Sequence, residues 1–310
     1  MELSDDALRS IVAHLAHMRA AYGEVLADAE LVEPNGEFFP DEFALEPAAI
    51  HRLARRMMTY APLSADLDVE LAFAEAEQAA KGGCGSGACG PGGGGAGARV
   101  LGGALETNDG YGVVVATSDV GEPKLLTASL ARAVGRLVLF EADEQVDPRD
   151  EGPIAELTAV ACGFGVILLG GACVYKKGCG GMRMHQGTFL SVHELALATA
   201  LFVRASDKKP GAVRRHLDVT QREAFDAALD WVDGHPSLLA AFVDDPESLQ
   251  DGVFVLEEKK GFLSRLLARK PPARDDVPEA IPVRAKERTE EERRRIAEAR
   301  ALVEEALNEP

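Results

Sequence analysis

Residues 124–141 read KLLTASLARAVGRLVLFE, and this stretch is the main guide to the fold class. It is apolar over most of its length, contains no proline, and follows the turn Gly121-Glu122-Pro123, so it predicts a helix. Arg132 and Arg136 lie one helical turn apart on it and share one side. Either that side faces solvent, or it is buried and both charges have partners.

The segments around this helix predict a small sheet and several further helices. Tyr111–Thr117 and Val69–Phe73 have the composition and alternation of strands. A long apolar helix is expected from about Ile154 to about Tyr175, followed by a loop at Gly178–Gly187. Further helices are predicted at 4–22 and 190–205, N-capped by Ser4 and Ser191, and at 46–60 and 218–234. We therefore expect an α+β fold, a mainly helical core with a small sheet plus a helical C-terminal tail.

Composition divides the chain into five predicted parts. Residues 1–80 are an acidic N-terminal α/β part with 16 acidic and 5 basic side chains. Residues 81–103 are a glycine-rich loop or linker, because ten glycines occupy the sixteen positions 82–97. The core spans 104–245, and 246–285 is an irregular segment and linker. Residues 286–310 form a C-terminal helix that opens at the capping box Thr289-x-x-Glu292.

The charge of the chain argues against two classes of partner. A formal net charge of −18 repels phosphate backbones and anionic lipid, so we expect no nucleic acid and no membrane-surface partner. Met1–Ser10 is acidic and polar, unlike a signal peptide, and five cysteines are too few for a secreted disulfide framework. These features predict a soluble cytoplasmic protein.

Residues 157–175 leave a membrane alternative open. They contain no charged side chain, and the length of this uncharged run approaches that of a membrane-spanning helix. The other interpretation is a helix buried on all sides in a soluble core, which the many glycines favour.

The predicted order of strand, helix and helix is that of the zincin-type zinc peptidases. Those enzymes place H-E-x-x-H on a helix, so that two imidazoles face one zinc ion and the glutamate activates the bound water. Here the corresponding residues read Arg132-Ala133-Val134-Gly135-Arg136. Glu156 lies near the start of the next helix, where a third ligand belongs.

The chain resembles a family of uncharacterised bacterial proteins with a minimal zincin core, many of which carry an intact H-E-L-G-H. The resemblance implies a zincin-like core in which Arg132 and Arg136 hold the histidine positions. Ala133 holds the position of the catalytic glutamate, and Glu156 that of the third ligand. The similar segments, whose order carries the resemblance, are 38–43, 124–175, 186–196 and 216–218.

The departures from the family pattern imply a degenerate member. A guanidinium does not ligate zinc, and Ala133 has no proton to transfer. We therefore expect no catalytic residue, no cofactor and no metal at this site. We hypothesise instead that Arg132 or Arg136 pairs with Glu156, so that a guanidinium–carboxylate pair joins the two helices.

The cysteines provide an alternative metal site. Cys84 and Cys89 form a C-x4-C pair in the glycine-rich segment, which supplies two of the four ligands that zinc normally takes. Cys173, Cys179 and His185 could supply three more, although their spacing matches no standard zinc module. Incidental thiols in a loop, and a buried Cys173 that acts as a small hydrophobe, are the plainer interpretation.

Three functions therefore compete at this point. A non-catalytic zincin-like protein would bind a protein or peptide, with the strand at 113–117 receiving an extended peptide by edge addition. A different enzyme, or a metal-binding protein, would use the cysteines. A single-span membrane protein would insert residues 157–175.

Overall fold

A computed structural model of the chain describes residues 3–75, 103–107, 110–178 and 181–256. The predicted loop residues 82–97 and the predicted helix at 286–310 lie outside these ranges. The N-terminal elements are α1 (Asp5–Tyr22), α2 (Glu24–Ala27), α3 (Pro47–Met58), β1 (Val69–Ala74), β2 (Gly103–Thr107) and β3 (Gly110–Ala116). The central elements are α4 (Thr117–Val120), α5 (Pro123–Glu141), α6 (Glu151–Ala159), α7 (Gly165–Gly171), β4 (Val174–Gly178) and β5 (Gly181–His185). The last are α8 (Val192–Ala205), α9 (Pro210–Arg214), α10 (Val219–Asp233) and α11 (Pro236–Asp244).

The fold is α+β and mainly helical, as the sequence predicts. A three-stranded sheet has the order β1-β3-β2, in which β1 is parallel and β2 antiparallel to β3. A separate antiparallel hairpin consists of β4 and β5. One hydrophobic core runs through the described residues and joins side chains of α1 and α3 to those of α5, α8 and α10.

The caps confirm two of the predicted helix starts. The Ser4 hydroxyl accepts a hydrogen bond from the Ala7 backbone at the start of α1. Ser191 and Glu194 form a reciprocal capping box at the start of α8. These short polar side chains accept bonds from first-turn N–H groups that have no partner within the helix.

Two predictions between α6 and α8 are wrong. The apolar helix ends at Gly171 rather than near Tyr175, and its last predicted residues enter β4. Residues 178–187, predicted as a loop, contain strand β5. Here backbone pairing between β4 and β5 outweighs a local composition rich in glycine, and a single stretch of sequence does not reveal such pairing.

The apolar helix from Glu151 to Gly171 is a core element. It is the one helix of the described residues that is long and apolar enough to cross a membrane, and 89% of its apolar window is buried within the protein. It bends at Gly163, where the backbone has a φ of 94°. A Cβ there would lie 1.9 Å from the Glu30 carbonyl oxygen, and the Gly163 carbonyl accepts the Val32 N–H. Glycine thus lets residues 30–32 cross the bend directly.

His14 makes the stability of this core dependent on pH. Its Nε2 lies 2.9 Å from Thr158 Oγ1 of α6. Burial, followed by the charge of His17, lowers the pKa of His14 from 6.5 to about 4. Between these two pH values His14 is protonated in the unfolded chain but neutral in the folded chain. The free energy of unfolding therefore decreases as the pH falls from 6.5 towards 4. We expect a loss of up to about 1.4 kcal/mol per pH unit from this residue.

The His14 effect is measured by comparing wild type with His14→Gln in urea unfolding between pH 7 and pH 4. Glutamine keeps a hydrogen-bonding group near Thr158 but does not titrate. The variant should lose stability less steeply than wild type in this interval. Two parallel stability curves would show that His14 titrates alike in both states.

Candidate functional site

The candidate site lies where α5 crosses α6. Gly135 of α5 lies directly against the α6 backbone, since a Cβ on it would be 2.0 Å from the Ala155 carbonyl oxygen and 2.8 Å from the Ala159 nitrogen. Only glycine permits this approach. The crossing brings the side of α5 that carries Arg132 and Arg136 to the first turns of α6, which carry Glu151 and Glu156.

Arg132 and Glu156 form a buried ion pair, which confirms the hypothesis for one of the two arginines. Arg132 Nη1 lies 2.9 Å from Glu156 Oε1, and the side chains are 2% and 0% exposed. The solvent-facing alternative is therefore wrong for Arg132. A buried charge without a partner would destabilise the fold by several kcal/mol, roughly, so each member depends on the other.

The pair also fixes the loop before α8. Arg132 Nη1 donates to the Gly187 carbonyl at 3.0 Å. Glu156 accepts the backbone N–H groups of Phe189 and Leu190, both at 2.9 Å. Burial raises the pKa of the Glu156 carboxyl, and Arg132 and the two N–H groups oppose that shift. We call Arg132, Glu156 and their contacts to residues 187–190 the clasp.

Arg136 has a different partner. Its Nη2 lies 2.6 Å from Glu151 Oε1, and its side chain is 15% exposed. The guanidinium carbon lies 4.4 Å from the centre of the Phe140 ring, a cation–π geometry. Burial lowers the pKa of Arg136, and the Glu151 carboxylate opposes the shift.

Arg132, Ala133 and Arg136, which stand where the resemblance places two zinc ligands and the catalytic glutamate, do not suit a metal ion. Arginine side chains carry only N–H donors, and Ala133 has no polar atom. Within the described ranges, no group of three or more histidine, cysteine, aspartate or glutamate side chains comes together.

Only two residues of the alternative cysteine site, Cys173 and His185, belong to the described part of the chain. Cys84, Cys89 and Cys179 lie outside the described residues. Cys173 is a buried free thiol directly before β4, and His185 pairs with Val174 at the same end of the hairpin. The fold therefore brings the backbones of Cys173 and His185 close together.

A pocket of about 350 Å³ opens beside the clasp, and we call it the arginine pocket. Arg132 and Arg136 form its α5 side, and Gly103 and Ala104 of β2 form its sheet side. The remaining lining residues include Val114 of β3, Arg149 and Glu151 around the start of α6, and Phe189. The Arg132 guanidinium carbon lies 5.3 Å from the centre of the Phe189 ring, which is 48% exposed.

The predicted edge strand is a central strand. Every residue of β3 from Tyr111 to Ala116 pairs with β1 on one side, and those from Gly110 to Val114 pair with β2 on the other. Peptide addition to the strand at 113–117 is therefore excluded where both neighbours are present. The antiparallel strand at an edge of the described sheet, next to α5, is β2.

Sequence reasoning missed β2, Arg149, Glu151 and Phe189 as members of the site. Glu151 is the first residue of α6, but nothing local links it to Arg136, fifteen positions earlier. The sequence feature that points to Glu151 is its spacing from Glu156. The two carboxylates lie about one turn apart near the start of α6, as the two arginines lie one turn apart on α5.

No family model, no curated protein and no solved structure matches this chain.

Proposed function

We propose that this chain is a non-catalytic binding protein with a zincin-like core, which holds a peptide or an extended protein segment at the arginine pocket. The clasp is the observation that supports the proposal most directly. A guanidinium–carboxylate pair occupies positions that the resemblance assigns to metal ligands, and it joins the same two helices that a zinc ion would join.

The hydrogen bonding of Glu156 favours a structural role for this carboxylate. Its Oε1 accepts from Arg132 and Phe189, and its Oε2 accepts from Phe189 and Leu190. Both oxygens are thus engaged, and neither is left to coordinate an ion or to take a proton from water.

The walls of the arginine pocket suit an extended chain. The β2 residues Gly103 and Ala104 offer backbone at an edge of the described sheet, and main-chain hydrogen bonds bind peptides without regard to their sequence. Phe189 adds an exposed aromatic surface that can receive one side chain.

We also propose that the protein is soluble and cytoplasmic. The acidic net charge and the burial of the one membrane-length helix among the described residues support this location.

The proposal is tested with protein purified without an affinity tag or chelator. Its zinc content is measured first, and it is then mixed with a pool of end-blocked random octapeptides without added metal. We expect far less than one zinc per chain, retention of a subset of peptides, and no cleavage. One zinc per chain together with cleavage would overturn the proposal. Zinc that disappears when Cys84, Cys89, Cys173 or Cys179 is replaced would favour the cysteine alternative.

A matched pair of variants locates the binding surface. Phe189→Ala removes an aromatic ring that lines the arginine pocket, and Phe43→Ala removes one of similar exposure, 46% against 48%, that does not line it. Peptide retention should fall by about tenfold in the first variant and remain unchanged in the second. Equal retention by both would exclude the arginine pocket as the peptide site.

A further inference from the structure

We infer that the arginine pocket recognises a carboxylate group, through Arg136 and Arg149. This inference rests on the proposed binding function in that it names the chemical group by which the bound chain is held. The carboxylate belongs to a C-terminus or to an acidic side chain.

Charge is the first support. Three arginines line the pocket, at 132, 136 and 149, and Glu151 is the one acidic side chain among the described lining residues. Glu156 lies behind Arg132, fully buried, and balances its charge. Glu151 pairs with Arg136, and the charge of Glu106 of β2 also acts on Arg136. Arg149 is therefore the lining arginine whose charge no described ion pair balances, on a chain whose formal net charge is −18. Such a site attracts an anion that the rest of the surface repels.

Arg136 supplies the second support, because it keeps donors for a ligand. One of its terminal nitrogens, Nη2, binds Glu151, and the planar group stacks on Phe140. Its Nε is buried and has no hydrogen-bond partner among the described residues. A guanidinium carries five N–H donors in a rigid fork, and a buried donor without an acceptor destabilises the protein. A carboxylate in the pocket can accept from the terminal Nη1, which has no acceptor among the described residues, and it matches the guanidinium in shape.

Arg149 supplies the third support, at the mouth of the pocket. Its backbone N–H donates to Asp147 Oδ1 at 2.8 Å, which fixes the turn before α6. Its side chain is exposed and forms no ion pair with any residue of the described part. The first residues of α6, Glu151 and Gly152, also line the pocket, and no side chain caps this helix start. The partial positive charge of the helix start adds to the field of Arg149.

The size and charge of the pocket favour a carboxylate over a phosphate. The Glu151 carboxylate in the wall and the nearby Glu106, whose charge also acts on Arg136, would repel a dianion more strongly than a monoanion. A volume of about 350 Å³ lies at the lower end of the range for small-ligand pockets, so it admits a chain end or one side chain.

The test uses the full chain and small anions first. Thermal unfolding is followed with sodium acetate, propionate or phosphate at matched ionic strength, with chloride as the reference. Acetate and propionate, which are monoanions, should raise the unfolding midpoint of wild type more than phosphate does, because a ligand of the folded state stabilises it. The rise should vanish in Arg149→Gln and in Arg136→Gln. It should persist in Arg204→Gln, whose arginine pairs with Asp233 and does not line the pocket.

The second arm uses two octapeptide pools that differ only at the C-terminus, free carboxylate in one and amide in the other. The free-carboxylate pool should bind wild type about tenfold more tightly, and this difference should disappear in Arg149→Gln. A larger midpoint shift with phosphate than with the carboxylates would overturn the inference, as would a carboxylate response that survives both pocket variants. Peptide binding that ignores the terminus and the arginines would overturn it while leaving the proposed function standing. A carboxylate response without any peptide binding would overturn the proposed function and leave carboxylate recognition standing.

Discussion

Gly135→Ala should unfold at a much lower temperature than wild type. The new methyl carbon would clash with the backbone of α6, because it would lie 2.0 Å from the Ala155 carbonyl oxygen and 2.8 Å from the Ala159 nitrogen. Backbone atoms of a helix cannot rotate aside, so α5 and α6 must separate. Overpacking a core costs roughly 1–3 kcal/mol and more where nothing can give, and we expect about 3 kcal/mol or more here.

The control for this variant lies in α7, which follows α6 in the same long apolar helix. Gly170→Ala of α7 places its methyl carbon where no atom lies within 4 Å, so it should be neutral or slightly stabilising. Both variants are compared by calorimetry and by urea unfolding. If Gly135→Ala unfolds like Gly170→Ala, the close crossing of α5 and α6 is wrong, and with it the geometry of the arginine pocket.

Glu156→Gln should destabilise the protein by about 3–5 kcal/mol, because it removes the carboxylate that pairs with the buried Arg132 guanidinium. Glutamine has nearly the shape of glutamate and keeps an oxygen that can accept from Phe189 and Leu190. The expected loss is therefore electrostatic in origin rather than a loss of packing. It is measured by urea unfolding at pH 7.

Two further variants test whether the loss of stability in Glu156→Gln is electrostatic in origin. Adding Arg132→Met to Glu156→Gln removes the buried guanidinium as well, and stability should recover in large part, since apolar replacements of buried pairs are often neutral. Glu151→Gln breaks the partly exposed pair with Arg136 and should cost about 1 kcal/mol or less. Wild-type stability in Glu156→Gln, or failure of the double variant to recover, would remove the clasp as a stabilising element.

The site was predictable from sequence only to the extent that it depends on local geometry. The shared side of Arg132 and Arg136 follows from helical periodicity, and the need of a buried arginine for a carboxylate follows from the energy of desolvation. These two rules led to Glu156 as a partner. They could not choose between the two arginines, because that choice depends on where α6 crosses α5, and the contact of Gly135 with Ala155 sets that point.

The strand assignments show the same division. The composition of Tyr111–Thr117 predicts a strand correctly, but its place in the sheet depends on β1 and β2. Strand β1 pairs with it from 42 positions earlier, and β2 pairs with it from shortly before it in the sequence. Local composition carries no record of such pairings, so it predicts an edge strand where the structure has a central one. For the same reason the composition of residues 178–187 predicts a loop where the structure has β5.

By itself the sequence determined the fold class, the helix starts at Ser4 and Ser191, the acidic charge, and a helix that brings two guanidinium groups to one side. These are properties of composition and of contacts within one or two turns. Only the tertiary structure decided which arginine is buried against Glu156, which is paired with Glu151, and which strand borders the pocket. Those outcomes follow from the crossing of two helices and the register of a sheet, where residues distant in sequence become neighbours.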